Sequence, residues 1–146
     1  MDLKKLPRIL SDVTGHSLLS VTAPGGRDRE SLRVQTTAGP MIVTQRKDAE
    51  RGAREAHVVQ HLAQAADLSP EFLGYAEGFL VQSDLGDTRL SETLQDIDPK
   101  QQKAGMRAAF QTLAAVQEVA QATGLTQSLP AVFGTAVAMR GLVQSV

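Results

Sequence analysis

The chain has 146 residues and a formal charge of −1, from fifteen basic and sixteen acidic side chains, and it contains no cysteine. This length suits a single domain that buries its own core, and the lack of cysteine excludes disulfides and thiolate-ligated metal centres. With no long apolar run, no recognisable signal peptide, a near-neutral charge and one tyrosine, we expect a cytoplasmic protein that binds neither membranes nor nucleic acids.

The first predicted element is a short amphipathic helix. Its apolar residues recur at helical spacing from Leu3 to Val13. Asp2 is placed to cap the start of this helix, and Gly15 is placed to end it. Pro7 falls within the pattern and predicts a kink.

A period of two then replaces the helical period. Alternating runs at residues 18–22, 32–36 and 41–45 are separated by turns that contain glycine and proline, and they predict an antiparallel meander. The first turn begins with Gly25 and Gly26, in the stretch GGRDRESLRV. Two adjacent glycines suit a hairpin turn, and they also suit the close approach of a polyphosphate to backbone amides. Both interpretations stay open at this point.

A second helix is predicted to begin after Asp48 and to end near residue 66. Two short strands follow at residues 72–75 and 79–83. The predicted fold is therefore α+β, with a five-stranded antiparallel sheet, one packed helix and C-terminal helices after it.

The C-terminal third is predicted to be helical. A short helix is expected around residues 90–95, and a long helix begins at Asp98 and Pro99, since aspartate caps free amides and proline fits the first turn. Gly124 ends the long helix. The apolar stripe along this helix needs something to cover it.

Glu55 lies on or beside the stripe of the second helix that faces the sheet. An unpaired carboxylate in that position would be costly, so a cation is expected on the facing strand. Arg46 and Lys47, at the end of the third strand, are the nearest candidates in sequence. A purely structural ion pair is one interpretation of this arrangement.

Two other groups of titratable residues have both a functional and a structural interpretation. His57 and His61 have the spacing of two zinc ligands on one helix, but no third ligand is evident, and two surface histidines are favoured. Asp84 and Asp87 could act as a carboxylate pair, although a turn stabilised by aspartate side chains is favoured.

The order of the elements and several stretches resemble the N-terminal lobe of the aminoglycoside phosphotransferase and choline kinase superfamily, which is built like a protein-kinase small lobe. The similar stretches are GGRDRESLRV, REAHVVQHLAQAADLSPEFLGY and FLVQSDLGDTRLSETL, the last most like the branch that phosphorylates cell-wall amino sugars. The resemblance covers about residues 17–120. It implies a kinase-like N-lobe at residues 1–83, a hinge with a short helix at 84–98, and an incomplete helical C-lobe at 99–146.

The resemblance also implies roles for individual residues, because in such kinases a glycine loop covers the nucleotide phosphates and a helix glutamate positions a basic strand residue. The implied nucleotide-binding residues are Gly25, Gly26, Arg46, Glu55, Ser83 and Leu85. Asp84 and Asp87 are the implied contacts to ribose or to the acceptor. The strand MIVTQRK has no lysine inside it, so Thr44 or Gln45 could occupy the lysine's place instead of Arg46.

ATP and magnesium are the implied ligands of full-length family members. Their catalytic His-Gly-Asp loop and metal-binding aspartate follow the long helix, whereas here Glu118 is the only carboxylate after Asp98 and no histidine follows His61. No catalytic or metal-binding residue is therefore assigned, and we expect no phosphate transfer by this chain alone.

Two functions remain open at the level of sequence. The first is the nucleotide-binding, N-terminal part of a sugar, aminoglycoside or choline type phosphotransferase, and the second is a free-standing, pseudokinase-like binding or regulatory module. The expected partners are a nucleotide and, through the helices of residues 99–146, the missing C-terminal lobe, a second copy of the chain or another protein.

Overall fold

The structure, a computed structural model, describes residues 1–22, 30–66, 69–86, 90–95 and 97–125. Gly25, Gly26 and Asp87 lie outside the described residues, as does the tail beyond residue 125. The predictions that concern them stay predictions.

The elements in chain order are α1 (Leu6–Thr14), β1 (Leu18–Thr22), β2 (Ser31–Thr36), β3 (Gly39–Gln45), α2 (Ala49–Ala66), β4 (Phe72–Ala76), β5 (Phe79–Ser83), α3 (Leu90–Thr93) and α4 (Pro99–Ala122). The strands form one sheet in the order β1-β2-β3-β5-β4, and each is antiparallel to its neighbours. The predicted α+β class, with a five-stranded antiparallel sheet and a packed helix, is confirmed.

The first helix starts later than its sequence pattern predicted. α1 begins at Leu6, so Pro7 lies in its first turn, where an N–H has no helical acceptor and proline is tolerated without a kink. Leu3 is exposed, and Asp2 accepts a hydrogen bond in the turn ahead of the helix instead of capping it. The predicted end is confirmed, because Gly15 takes a left-handed conformation with φ +73° after the last turn.

One face of the sheet is apolar and is closed by α1; we call it the apolar face. The fully buried residues that meet there are Leu6, Ile9, Leu10, Val34, Val43, Phe79 and Val81. The approach of α1 to β4 is so close that a Cβ on Gly74 would overlap Cγ1 of Val13. Burial of this cluster is the main stabilising contribution that the described residues show.

The opposite face carries the alternate side chains, and we call it the polar face. Its members in the centre of β2 and β3 are Ser31, Arg33, Ile42 and Thr44. α2 packs on the β4–β5 half of this face, where Ala56 and Leu80 are buried. The β1–β2 half is exposed at Ser20, Thr22 and Gln35. The polar face is therefore covered on one side and open on the other.

The long helix α4 begins where the sequence predicted, since the carboxylate of Asp98 accepts hydrogen bonds from two backbone N–H groups of the first turn. Met106, Phe110 and Leu113 on its apolar stripe are exposed. The partner expected on this stripe stays a prediction. Within the part of the chain that the structure describes, no helix is long and apolar enough to cross a membrane.

Candidate functional site

Arg46 directly follows β3 and binds two carboxylates from different elements. Its Nε donates to Oε2 of Glu55 at 2.6 Å and its Nη2 donates to Oε1 at 2.9 Å, so the pair is bidentate. Its Nη1 donates to Oε2 of Glu30 at 2.5 Å. The structure thus supplies the strand cation that Glu55 on the second helix is predicted to need.

The local sequence fixes the geometry of this cluster. Asp48 caps α2 by accepting the backbone N–H groups of the first turn, which sets the helical phase and turns Glu55, two helical turns later, toward the end of β3. Glu30 is placed by the sheet, because its backbone carbonyl accepts the N–H of Gln45 at 2.9 Å. Helix capping and strand pairing therefore bring the two carboxylates to Arg46 independently.

The cluster has unequal charges and is partly open to water. The Arg46 side chain is 17% exposed, and those of Glu30 and Glu55 are 35% and 33% exposed. Hydrogen bonds to Glu55, and then to Glu30, hold the pKa of Arg46 above its ordinary value despite partial burial, so the guanidinium is charged throughout the physiological range. Two carboxylates on one guanidinium leave the trio with a formal charge of −1.

A cavity of about 500 Å³ opens beside this cluster, where β2 and β5 begin and β3 ends. Glu30 and Arg46 line it together with Lys47 and Glu77. The carboxylate of Glu77 is itself bound by Arg8 and by Lys5, at 2.5 Å and 3.4 Å. Two acidic and two basic side chains thus line a space large enough for a small anionic ligand.

The register of β3 decides how Thr44 and Gln45 are oriented. Thr44 lies on the polar face, is buried, and has its hydroxyl 2.8 Å from that of Ser31. Gln45 points the other way, since its side-chain carbonyl accepts the N–H of Asp2 at 2.7 Å. The last residue of β3 on the polar face is thus the neutral Thr44. The positive charge at this end comes from Arg46, two residues later.

A second ion pair crosses the other end of the polar face. Nη2 of Arg33 in β2 donates to Oδ1 of Asp84 at 2.9 Å, and Nε of Arg33 lies 2.5 Å from Oδ2. The Asp84 side chain is only 5% exposed, and Oδ1 also accepts the N–H of Gly86 at 2.9 Å. This pair ties the segment after β5 to the middle of β2.

The environment of Asp84 acts on its pKa in opposite directions. Burial raises the pKa of the Asp84 carboxyl, but the hydrogen bonds from Arg33 and from the Gly86 N–H, together with the Arg33 charge, outweigh burial. The pKa therefore lies below its ordinary value. Asp84 stays ionised, and both of its oxygens are engaged.

The other residues predicted near a nucleotide base lie in the same segment. Ser83 is bound to the residue before β4, because its N–H donates to the carbonyl of Glu71 at 3.0 Å and its hydroxyl accepts the N–H of Glu71 at 2.9 Å. Leu85 is 77% exposed. Within the predicted contact segment, Leu85 is thus open to a ligand, whereas Ser83 is held by the sheet.

The two histidines of α2 lie together, with ring centroids 5.8 Å apart for His57 and His61. Among residues 1–22, 30–66, 69–86, 90–95 and 97–125, no group of three or more metal-binding side chains is present. Their proximity follows from i, i+4 spacing on one helix face and needs no metal.

Sequence reasoning did not single out Glu30 or Arg33 as site residues. A signal was present for Arg33, because a charged residue between Leu32 and Val34 in an alternating strand must face away from the apolar core. Glu30 shows no such pattern. Its contact with Arg46 depends on the pairing of β2 with β3, which spacing alone does not define.

Comparison with known proteins adds one match. A family model described as the phosphotransferase enzyme family (APH) matches residues 21–136, which is more than half of the chain and extends from β1 past α4. The match is to the family as a whole and does not select the branch that phosphorylates cell-wall amino sugars. No curated protein and no solved structure is significantly similar to the chain.

Proposed function

Because this chain belongs to the phosphotransferase enzyme family, we propose that it supplies the nucleotide-binding part of an ATP-dependent small-molecule phosphotransferase. The observation that carries this proposal is the bidentate pair of Arg46 and Glu55, a strand-end cation held by a helix carboxylate beside an open cavity. A guanidinium fixed in this way presents a positioned positive charge to phosphate oxygens.

The polar face extends from the Arg46 cluster at one end to the Arg33–Asp84 pair at the other. We assign these two ends to the phosphates and the base of a nucleotide. The phosphates bind at the Arg46 end, where β2 begins. The base lies toward Leu85, beside the Arg33–Asp84 pair. Residues 41 and 45 of β3 mark these ends and are about 13 Å apart along an extended strand, a span that suits an extended nucleoside triphosphate.

Magnesium, when bound with ATP, would neutralise charge on the phosphates during transfer. Asp84 is not assigned to that ion, because Arg33 and Gly86 engage its two oxygens. The phosphate acceptor, a sugar, an aminoglycoside or a choline-like alcohol, stays a prediction from the family, as does the amino-sugar branch.

Isothermal titration with ATP and magnesium tests this function. We expect high-micromolar to millimolar affinity, since the polar face would contact the nucleotide from one side. Arg46→Gln should weaken binding, because it removes the charge that contacts phosphate. Arg54→Gln is the matched control, since Arg54 pairs with Glu50 on the outer surface of α2.

Both variants must first be shown to be folded by circular dichroism at the titration temperature. No heat of binding at millimolar ATP, or equal affinity in the folded wild type and Arg46→Gln, would contradict the proposed function. Equal loss in the two arginine variants would show a general charge effect instead of a site at Arg46.

A further inference from the structure

The Arg46 cluster holds one carboxylate more than the pairing of Arg46 with Glu55 requires. Glu55 already orients the guanidinium through two hydrogen bonds, at 2.6 Å and 2.9 Å. Glu30 adds a further contact on Nη1 at 2.5 Å. Each of the three guanidinium nitrogens therefore donates to a carboxylate oxygen.

The two carboxylates are attached to Arg46 in different ways. Glu55 binds with both oxygens and stands on a capped helix, whereas one oxygen of Glu30 makes the contact to Nη1. The Glu30 backbone is pinned by the N–H of Gln45, but its side chain is 35% exposed and lines the 500 Å³ cavity. The backbone bond and the side-chain contact are separate, so a rotation of the Glu30 side chain away from Nη1 would leave the strand pairing intact.

We propose that Glu30 is an internal competitor for phosphate at Arg46. Its carboxylate occupies one anion position on Nη1 in the unliganded protein, and a phosphate oxygen that binds at this position must displace it. This inference rests on the proposed function, because it concerns the same arginine and assigns its ligand as a phosphate group.

The chemistry of the two anions supports the competition. Carboxylate and phosphate oxygens accept the same guanidinium N–H groups, so a single donor direction cannot serve both at once. The Glu30 charge also repels a polyphosphate at short range. Replacing Glu30 with glutamine removes one negative charge beside Arg46 and the carboxylate contact on Nη1, so binding should tighten.

Pyrophosphate and ATP are the two probes, titrated without magnesium into the wild type, Glu30→Gln and Glu77→Gln. Glu77→Gln is the matched control, because Glu77 lines the same cavity and has the same charge but binds Lys5 and Arg8. We expect Glu30→Gln to bind pyrophosphate about tenfold more tightly than the wild type, and Glu77→Gln to change it by less than about twofold.

The two probes separate failure of this inference from failure of the proposed function. Tighter pyrophosphate binding in Glu30→Gln with no ATP binding in any variant would support the competitor and contradict the nucleotide site. Unchanged or undetectable pyrophosphate binding in folded Glu30→Gln would overturn the competitor, as would equal gains in both variants. Glu30→Ala, checked by thermal unfolding, replaces Glu30→Gln if that variant does not fold.

Discussion

The two faces of the sheet are built from neighbouring residues of the same strands, and they differ in polarity and in what packs on them. Val34 and Val43 point to the apolar face and are fully buried under α1. Their neighbours Arg33 and Thr44 point to the polar face, which carries the Arg33–Asp84 pair and the Arg46 cluster. The alternation of a strand thus separates the residues of the apolar core from those on the side of these two groups.

A second contrast lies within the polar face. Arg33 contacts the nearly buried carboxylate of Asp84, and Arg46 contacts two carboxylates that are each about one-third exposed. A closed ion pair suits a structural role. A partly open cluster beside a cavity suits the exchange of one anion for another.

The largest expected effect tests the apolar face. Leu10→Ala removes a fully buried side chain that packs between α1 and the sheet, so we expect a loss of about 2–5 kcal/mol in the free energy of unfolding. Urea unfolding measures this loss. ATP affinity, measured on the folded fraction, should be unchanged, and a parallel loss of affinity would break the separation of the faces.

The Arg33–Asp84 pair gives the next effect. Asp84→Asn removes the carboxylate charge that Arg33 contacts, and we expect a loss of about 3 kcal/mol at pH 7, since removing one partner of a largely buried ion pair is strongly destabilising. Chemical unfolding at several pH values measures it. Asp12→Asn is the control, because Asp12 pairs with Arg8 on the exposed side of α1.

The pH dependence of that loss follows from the lowered pKa of Asp84. The stabilisation is fully present above the unfolded-state pKa, near pH 4, and is lost as pH falls through the lower folded-state value. The wild type should therefore approach Asp84→Asn in stability on acidification. A constant difference between pH 7 and pH 2 would show that the carboxylate charge does not contribute.

The smallest effect concerns the Arg46 cluster. Glu55→Ala should cost about 1–2 kcal/mol, less than a broken isolated pair, because Glu30 remains as a partner of Arg46. Glu50→Ala, on the exposed turn of the same helix, should cost less than about 0.5 kcal/mol. Thermal unfolding of the two variants compares them. Equal changes would place Glu55 among ordinary surface residues.

Much of the fold could be predicted from local patterns. The strands follow alternation, and the starts of α2 and α4 follow Asp48 and Asp98, whose side chains cap the helices as expected. The start of α1 could not be predicted in this way. Leu3 fits the helical period, yet Pro7 favours the first turn, and that preference places the helix start at Leu6.

Residues of the candidate site could be predicted only where the pattern within a single helix or strand indicates their contact. The helical phase of Glu55 indicated a facing cation, and Arg46 was near in sequence. Asp84 meets Arg33 across 51 positions of the chain, and Glu30 meets Arg46 through the pairing of two strands. Such contacts depend on strand register and order, which one sequence leaves undefined.

The most direct test of a nucleotide site on the polar face is a methyl NMR titration with ATP and magnesium. Ile42 and Thr44 carry methyl groups on the polar face, and the buried valines 34, 43 and 81 carry them on the apolar face. We predict that the Ile42 and Thr44 signals shift with ATP concentration while those of the three valines stay in place. Shifts confined to the valines, or no shift at millimolar ATP, would contradict a nucleotide site on the polar face.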